Sequence, residues 1–205
     1  METKSAHGVL VELDSLETLD LIVGAEKQCR DAFPQLSKEL DLSEIAVETW
    51  QTAIPELRQL FPLHWKEIAL YQNEIEMDID EGHYQRCEDA GILCLLTARV
   101  ERKLVGYYIA YISSNPHYKS SGPWATTDMY FILPEYRTGT GLKLFVAFEK
   151  IARAKGATHG ATSCKVHQDH SEMLTKLGWE WTDKTFQKHL CDSSVSSPSG
   201  FGSAQ

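Results

Sequence analysis

The stretch FILPEYRTGTGLKLF, from Phe131 to Phe145, has the make-up of a strand that passes through a glycine turn directly into a helix. The first N–H groups of a helix lack intrahelical partners and the helix dipole favours negative charge there, so such a junction suits a phosphate. Gly139 and Gly141 would let a pyrophosphate approach the backbone of a cradle from Thr138 to Leu142 (Thr138, Gly139, Thr140, Gly141, Leu142), and Arg137 adds a charged fork beside it. Two other phosphate motifs are excluded. A Walker A loop needs lysine after its second glycine, where Leu142 stands, and the dinucleotide fingerprint needs a third glycine, where Leu144 stands. An ordinary strand–turn–helix connection would use the same glycines for geometry alone.

A metal site is the rival chemistry, since Cys164, His167 and His170, with His159 nearby, offer ligands of the zinc type. No second Cys/His pair stands at finger spacing, so no metal ligand is assigned. The five cysteines (29, 87, 94, 164 and 191) form an odd, scattered set that suits a reducing, cytoplasmic compartment. No apolar run reaches the roughly 18–20 residues of a membrane span. The net charge of −9 argues against nonspecific nucleic-acid binding. That average hides a division: residues 136–190 carry a net +4, and residues 1–135 a net −12. One half suits an anion and the other a cation.

The elements that must position these groups can be read from periodicity. Leu16, Leu19, Ile22 and Val23 have helical spacing in an N-terminal extension, residues 1–40, expected to pack on the main domain, with Ser37 to Asp41 as the divide. Within the domain, residues 41–191, a short strand at Ser43 to Trp50 precedes a helix from Thr52 to Tyr71, which Pro62 should kink or break. A helix at Glu81 to Ala90 ends at Gly91. A β-hairpin follows, Ile92 to Ala98 and Leu104 to Ile112, and then a strand at Thr127 to Leu133. Beyond the glycine turn come a helix ending at Gly156, a strand around Thr158 to Lys165, a helix opened by an Asp169/Glu172 capping box, and two short strands from Trp179 to Leu190. Residues 192–205, rich in Ser, Gly and Pro, read as a disordered tail. The order predicts a mixed α/β fold.

With the whole chain in view, this segment resembles the Gcn5-related N-acetyltransferase (GNAT) superfamily, whose pyrophosphate loop is Arg/Gln-x-x-Gly-x-Gly/Ala. The approach Leu133 to Arg137 is similar to that family's, and the segments at His64 to Ala69, Leu104 to Tyr107, Asn115 to Tyr118 and Asp128 to Arg137 resemble bacteriophage-encoded members. Two departures stand out. Counted from Arg137, the family's glycines fall on Thr140 and Leu142, so the loop is one residue short. Leu174 occupies the position of the tyrosine that usually protonates the leaving thiolate.

The resemblance implies a central mixed sheet flanked by helices, acetyl-CoA as co-substrate, and acetyl transfer to a primary amine by direct attack in a ternary complex. It places the cofactor along Phe131, Ile132 and Leu133 and in the loop from Arg137 to Leu142. Asp128 is the first candidate for base or acceptor anchor, a structural cap being the alternative, and Glu67 and Glu135 are weaker ones. His64, His117 and Tyr118 fall in segments near the acceptor cleft, where imidazole suits proton relay, and Trp65 is expected in the core. Glu74, Glu76, Asp78, Asp80 and Glu81 would line that cleft and draw in a cationic amine of a protein or small molecule. A homodimer, a host-cytoplasmic setting, and a catalytically degenerate binding protein on the same fold complete the expectations.

Overall fold

The computed structural model describes residues 13–33, 44–137, 139–188 and 190. The chain runs through α1 (Ser15–Ala32), β1 (Glu44–Val47), α2 (Trp50–Ile68), α3 (Glu81–Asp89), β2 (Leu93–Val100), β3 (Lys103–Ser114), β4 (Pro123–Ile132), α4 (Thr140–Ala154), β5 (His159–Ala161) and α5 (Ser171–Lys176). The strands form one sheet in sequence order, antiparallel from β1 to β4 and parallel between β4 and β5. This is the mixed sheet flanked by helices that the sequence predicts. The expected tail and the divide at residues 37–41 lie outside the described residues.

Alternation along β3 sorts the two faces. Tyr107 packs on Phe61 of α2, and its neighbour Tyr108 packs on Phe145 and Phe148 of α4. α2 and α3 thus cover one face and α4 the other. α1 lies over the outer side of α4, which is why residues 140–148 are buried all round. Even Lys143 is only 1% exposed, its ammonium paired with Glu26 of α1 at 2.8 Å. The buried row of α1 is Ile22, Ala25 and Cys29, whereas Leu16, Leu19 and Val23 point to solvent, so its inward face is rotated from the one expected.

Pro62 does not end α2, which runs through it to Ile68. Pro55 and Pro62 both lie on its exposed side, as do Gln51 and Arg58, whose carbonyls lose their partners to the two prolines and can turn to water. α4 closes at Gly156, whose φ of 92° only glycine adopts without strain. Near the C-terminus the structure departs from expectation. β5 has three residues, and no strand forms across residues 179–188. Trp179 is anchored by its indole N–H to Glu149, but Trp181 and Phe186 are exposed and find no second buried face to pair against. The α5 capping box is also absent: the Asp169 carboxylate accepts from the Ser171 N–H, and His170 stands at the N-cap.

Candidate active site

β4 carries the site because its ladder to β3 slips by one residue. Ile109 pairs with Met129 and Ala110 with Thr127, leaving Asp128 as the extra residue of a bulge. A bulge puts two consecutive side chains on one face and takes a peptide out of the ladder. Here both Asp128 and Met129 turn toward α2 and α3. The Tyr84 hydroxyl donates to Asp128 Oδ2 at 2.7 Å, and that of Tyr111 approaches the same oxygen at 3.4 Å. Burial, then the Asp128 carboxylate, push the Tyr111 phenol up to about 12 and the Tyr84 phenol higher still, so both remain donors at neutral pH. Trp50, stacked on Tyr84 at 4.5 Å, holds that ring in place. The result is an exposed carboxylate at the end of two aromatic rings, an arrangement that suits an ammonium group.

His64 sits deeper on the same face, 5% exposed, stacked on Phe131 at 4.9 Å with Nδ1 2.6 Å from the Tyr107 hydroxyl. Burial pushes its pKa down from 6.5 to about 4, so the imidazole is neutral at pH 7. Trp65 is half-buried rather than a core residue, and with His64 and Met129 it borders a small apolar cavity. His117 and Tyr118 are not brought to this place. They lie in the β3–β4 connection, where Tyr118 stacks on Trp124, and Trp124 on His159, at the opposite end of β4 from its junction with α4.

At the other end of β4, Phe131, Ile132 and Leu133 are buried, so only their backbone is available to a ligand, and the Leu133 N–H already donates to Val105. Gly139 is the N-cap of α4 and has no side chain to cap it, which leaves the N–H groups of Thr140, Gly141 and Leu142 without intrahelical partners. A Cβ on Gly141 would overlap the hydroxyl of Tyr130, so this glycine is required by a close approach from the preceding strand. Thr138 lies outside the described residues. Arg137 is tied down: its Nη2 pairs with Glu67 at 2.6 Å and its Nε donates to the Ile132 carbonyl.

Beyond Thr126 the outer edge of β4 has no strand partner among the described residues, because β5 pairs only with Trp124, Ala125 and Thr126. His170 faces this seam, its ring 5.8 Å from those of Tyr130 and Phe145. Its Nδ1 donates to the Gln168 carbonyl, and Nε2 is buried without a partner. An orphaned buried ring nitrogen costs about 1–3 kcal/mol unless a ligand or water satisfies it. The residues of the rival metal site are otherwise engaged: Cys164 meets Asp169, and His167 reaches the Glu67 carbonyl. Among the described residues no three His, Cys, Asp or Glu side chains converge on a metal position.

Tyr84, Tyr111, Met129 and the seam-facing role of His170 carry no motif that sequence could reveal. Tyr84 stands 44 residues from Asp128, and only the fold joins them.

No protein-family model and no curated protein sequence matches the chain. Solved structures do. An aminoglycoside acetyltransferase, meta-AAC0020 from an uncultured soil metagenomic sample, solved with trehalose and with sisomicin, superposes with a TM-score of 0.57 at 19% identity, over 74% of this chain and 98% of that one. AAC(6')-Iy in complex with a CoA-linked acetylneamine bisubstrate analogue gives 0.57 at 20% identity, over 73% and 99%. A ribosomal-protein-alanine N-acetyltransferase from Brucella melitensis biovar Abortus 2308 gives 0.52 at 17%, over 71% and 99%. The chain therefore has the GNAT fold. No helix among the described residues is long and apolar enough to cross a membrane.

Proposed function

We propose that this chain, built on the GNAT fold, is an acetyl-CoA-dependent N-acetyltransferase that acts on a primary amine by direct attack in a ternary complex. The observation that carries the reading is the course of β4. One strand runs from a bulged carboxylate to an uncapped helix start, with its outer edge unpaired between them. From Asp128 to Ile132 that is about 13 Å of extended backbone, a natural bed for an extended thioester arm.

The residues fit such a co-substrate. The backbone from Thr138 to Leu142 would hold the pyrophosphate, Arg137 would fix the loop through Glu67, and the orphaned His170 Nε2 would accept a hydrogen bond from an amide of the arm. When bound, acetyl-CoA supplies an activated acyl group. The chain's part is to receive the amine between Tyr84, Tyr111 and Asp128 and to take its proton at the Asp128 carboxylate. The bulge peptide, freed from the ladder, is available to polarise a carbonyl. The aminoglycoside and ribosomal-protein enzymes of the same fold show how varied an amine acceptor can be, and small-molecule and protein amines both suit this cleft.

Calorimetry with acetyl-CoA and thioester consumption across polyamine, aminoglycoside and peptide amines test the reading. Asp128→Asn should lower kcat about 100-fold or more while leaving acetyl-CoA affinity unchanged. Equal turnover would remove Asp128 from the chemistry, and a wild-type protein that binds no acetyl-CoA would overturn the reading. Leu174, standing where the resemblance expects a tyrosine acid, favours a second reading, a binding module. Acetyl-CoA binding with no acceptor modified would select it.

A further inference from the structure

The cavity beside Met129 has a volume of about 50 Å³ and is bordered by Phe61, His64, Ile68, Met77 and Ile79. Its position, lining and size each bear on what it holds. Met129 follows Asp128 directly, and the bulge turns both side chains to this face, so the cavity lies one residue along β4 from the carboxylate where, on the proposed function, the amine would meet the acyl carbon. Trp65 and Tyr107 complete the lining, whose polar groups include the His64 ring and the Tyr107 hydroxyl, and these two are engaged with each other. An ammonium placed here would lose its water and gain no carboxylate, a heavy cost. The cationic acceptor therefore belongs at Asp128, outside the cavity. An apolar cavity of about 150 Å³ holds the six carbons of benzene, so this space takes about two non-hydrogen atoms. An acetyl methyl is one.

We propose that this cavity is an acyl pocket that lets the protein take a propionyl group from its CoA thioester as well as acetyl. The proposal rests on the acyl-CoA reading of the site. Each methylene moved from water into an apolar space is worth about a fourfold gain in binding.

The test uses the full chain and calorimetric titration with acetyl-, propionyl- and butyryl-CoA in the absence of an acceptor, so that binding is read without turnover. The dissociation constant should tighten about fourfold from acetyl to propionyl and gain nothing further with butyryl. Ile79→Phe, which fills the cavity, should erase that gain. Ile79→Ala, which enlarges it, should extend the gain to butyryl-CoA. Both variants are checked for folding by thermal melts, and the wild-type series stands without them. Equal affinities for the three thioesters in the wild type, or a chain-length gain that survives in folded Ile79→Phe, would overturn the acyl pocket while leaving the acyl-CoA site in place. Failure of the wild type to bind any of the three overturns the site and the pocket together.

Discussion

At the scale of single residues, the His64 imidazole links the site to stability. Its burial dominates the depression to about 4, with Arg137 and Lys165 adding to it and Glu67 opposing. A histidine held neutral in the fold but free to protonate near 6.5 when unfolded gives stability that is complete above the unfolded value. That stability is lost as pH falls from about 6.5 toward 4, because the unfolded chain takes up the proton first. The loss between pH 7 and pH 4 should approach about 3 kcal/mol. Urea midpoints should fall over that window, and His64→Phe, which keeps the stack on Phe131, should flatten that part of the slope even though it strands the Tyr107 hydroxyl. A His64 imidazole resonance that titrates above pH 6 would contradict the assignment. His64 and Asp128 were legible in the sequence as residue types within recognisable segments. Their partners Tyr107, Tyr84 and Tyr111 were not, since tyrosines on other elements acquire meaning only when the sheet and α3 bring their hydroxyls to one place.

Elements fit one another through a few tight contacts, and the closest is where α4 begins. The Tyr130 hydroxyl fills the space a Gly141 side chain would need, so Gly141→Ala should destabilise the fold by about 1–3 kcal/mol and loosen acetyl-CoA binding as the helix start shifts. Tyr130→Phe removes the obstructing oxygen. Adding it to Gly141→Ala should recover most of the melting temperature, a coupling that two independent substitutions would not show. The strand–turn–helix junction itself was readable from glycine placement and apolar spacing. The reason for its second glycine was not, because the obstacle comes from a ring eleven residues earlier on the preceding strand. The same limit applies to Pro62, harmless because its side of α2 is exposed, and to the terminal strands expected after Trp179, which have alternation but no free face to cover.

Across the whole molecule the acidic excess of residues 1–135 acts at a distance. Met77 and Ile79 turn inward, so Glu76, Asp78 and Asp80 on the same extended segment face solvent. Asp80 caps α3 through the His83 N–H, and Glu81 pairs with Arg58 at 2.7 Å, so those two also serve local structure. What Glu76 and Asp78 can still do is raise the concentration of a cationic amine near Asp128, and such attraction is screened over about 8–10 Å at physiological salt. Glu76→Gln combined with Asp78→Asn should therefore raise the acceptor KM severalfold at about 10 mM salt, where the screening length is about 30 Å, and converge on the wild type by about 0.15 M. Acyl-CoA affinity should not follow, since the proposed pyrophosphate cradle lies at the other end of β4. The loss in Asp128→Asn should persist at every salt concentration, because a proton acceptor in contact with the amine is not a screened distant charge. An acceptor KM that is unmoved at low salt would reduce the acidic segment to a solvated surface and leave the choice of a cationic acceptor resting on Asp128 and its two tyrosines.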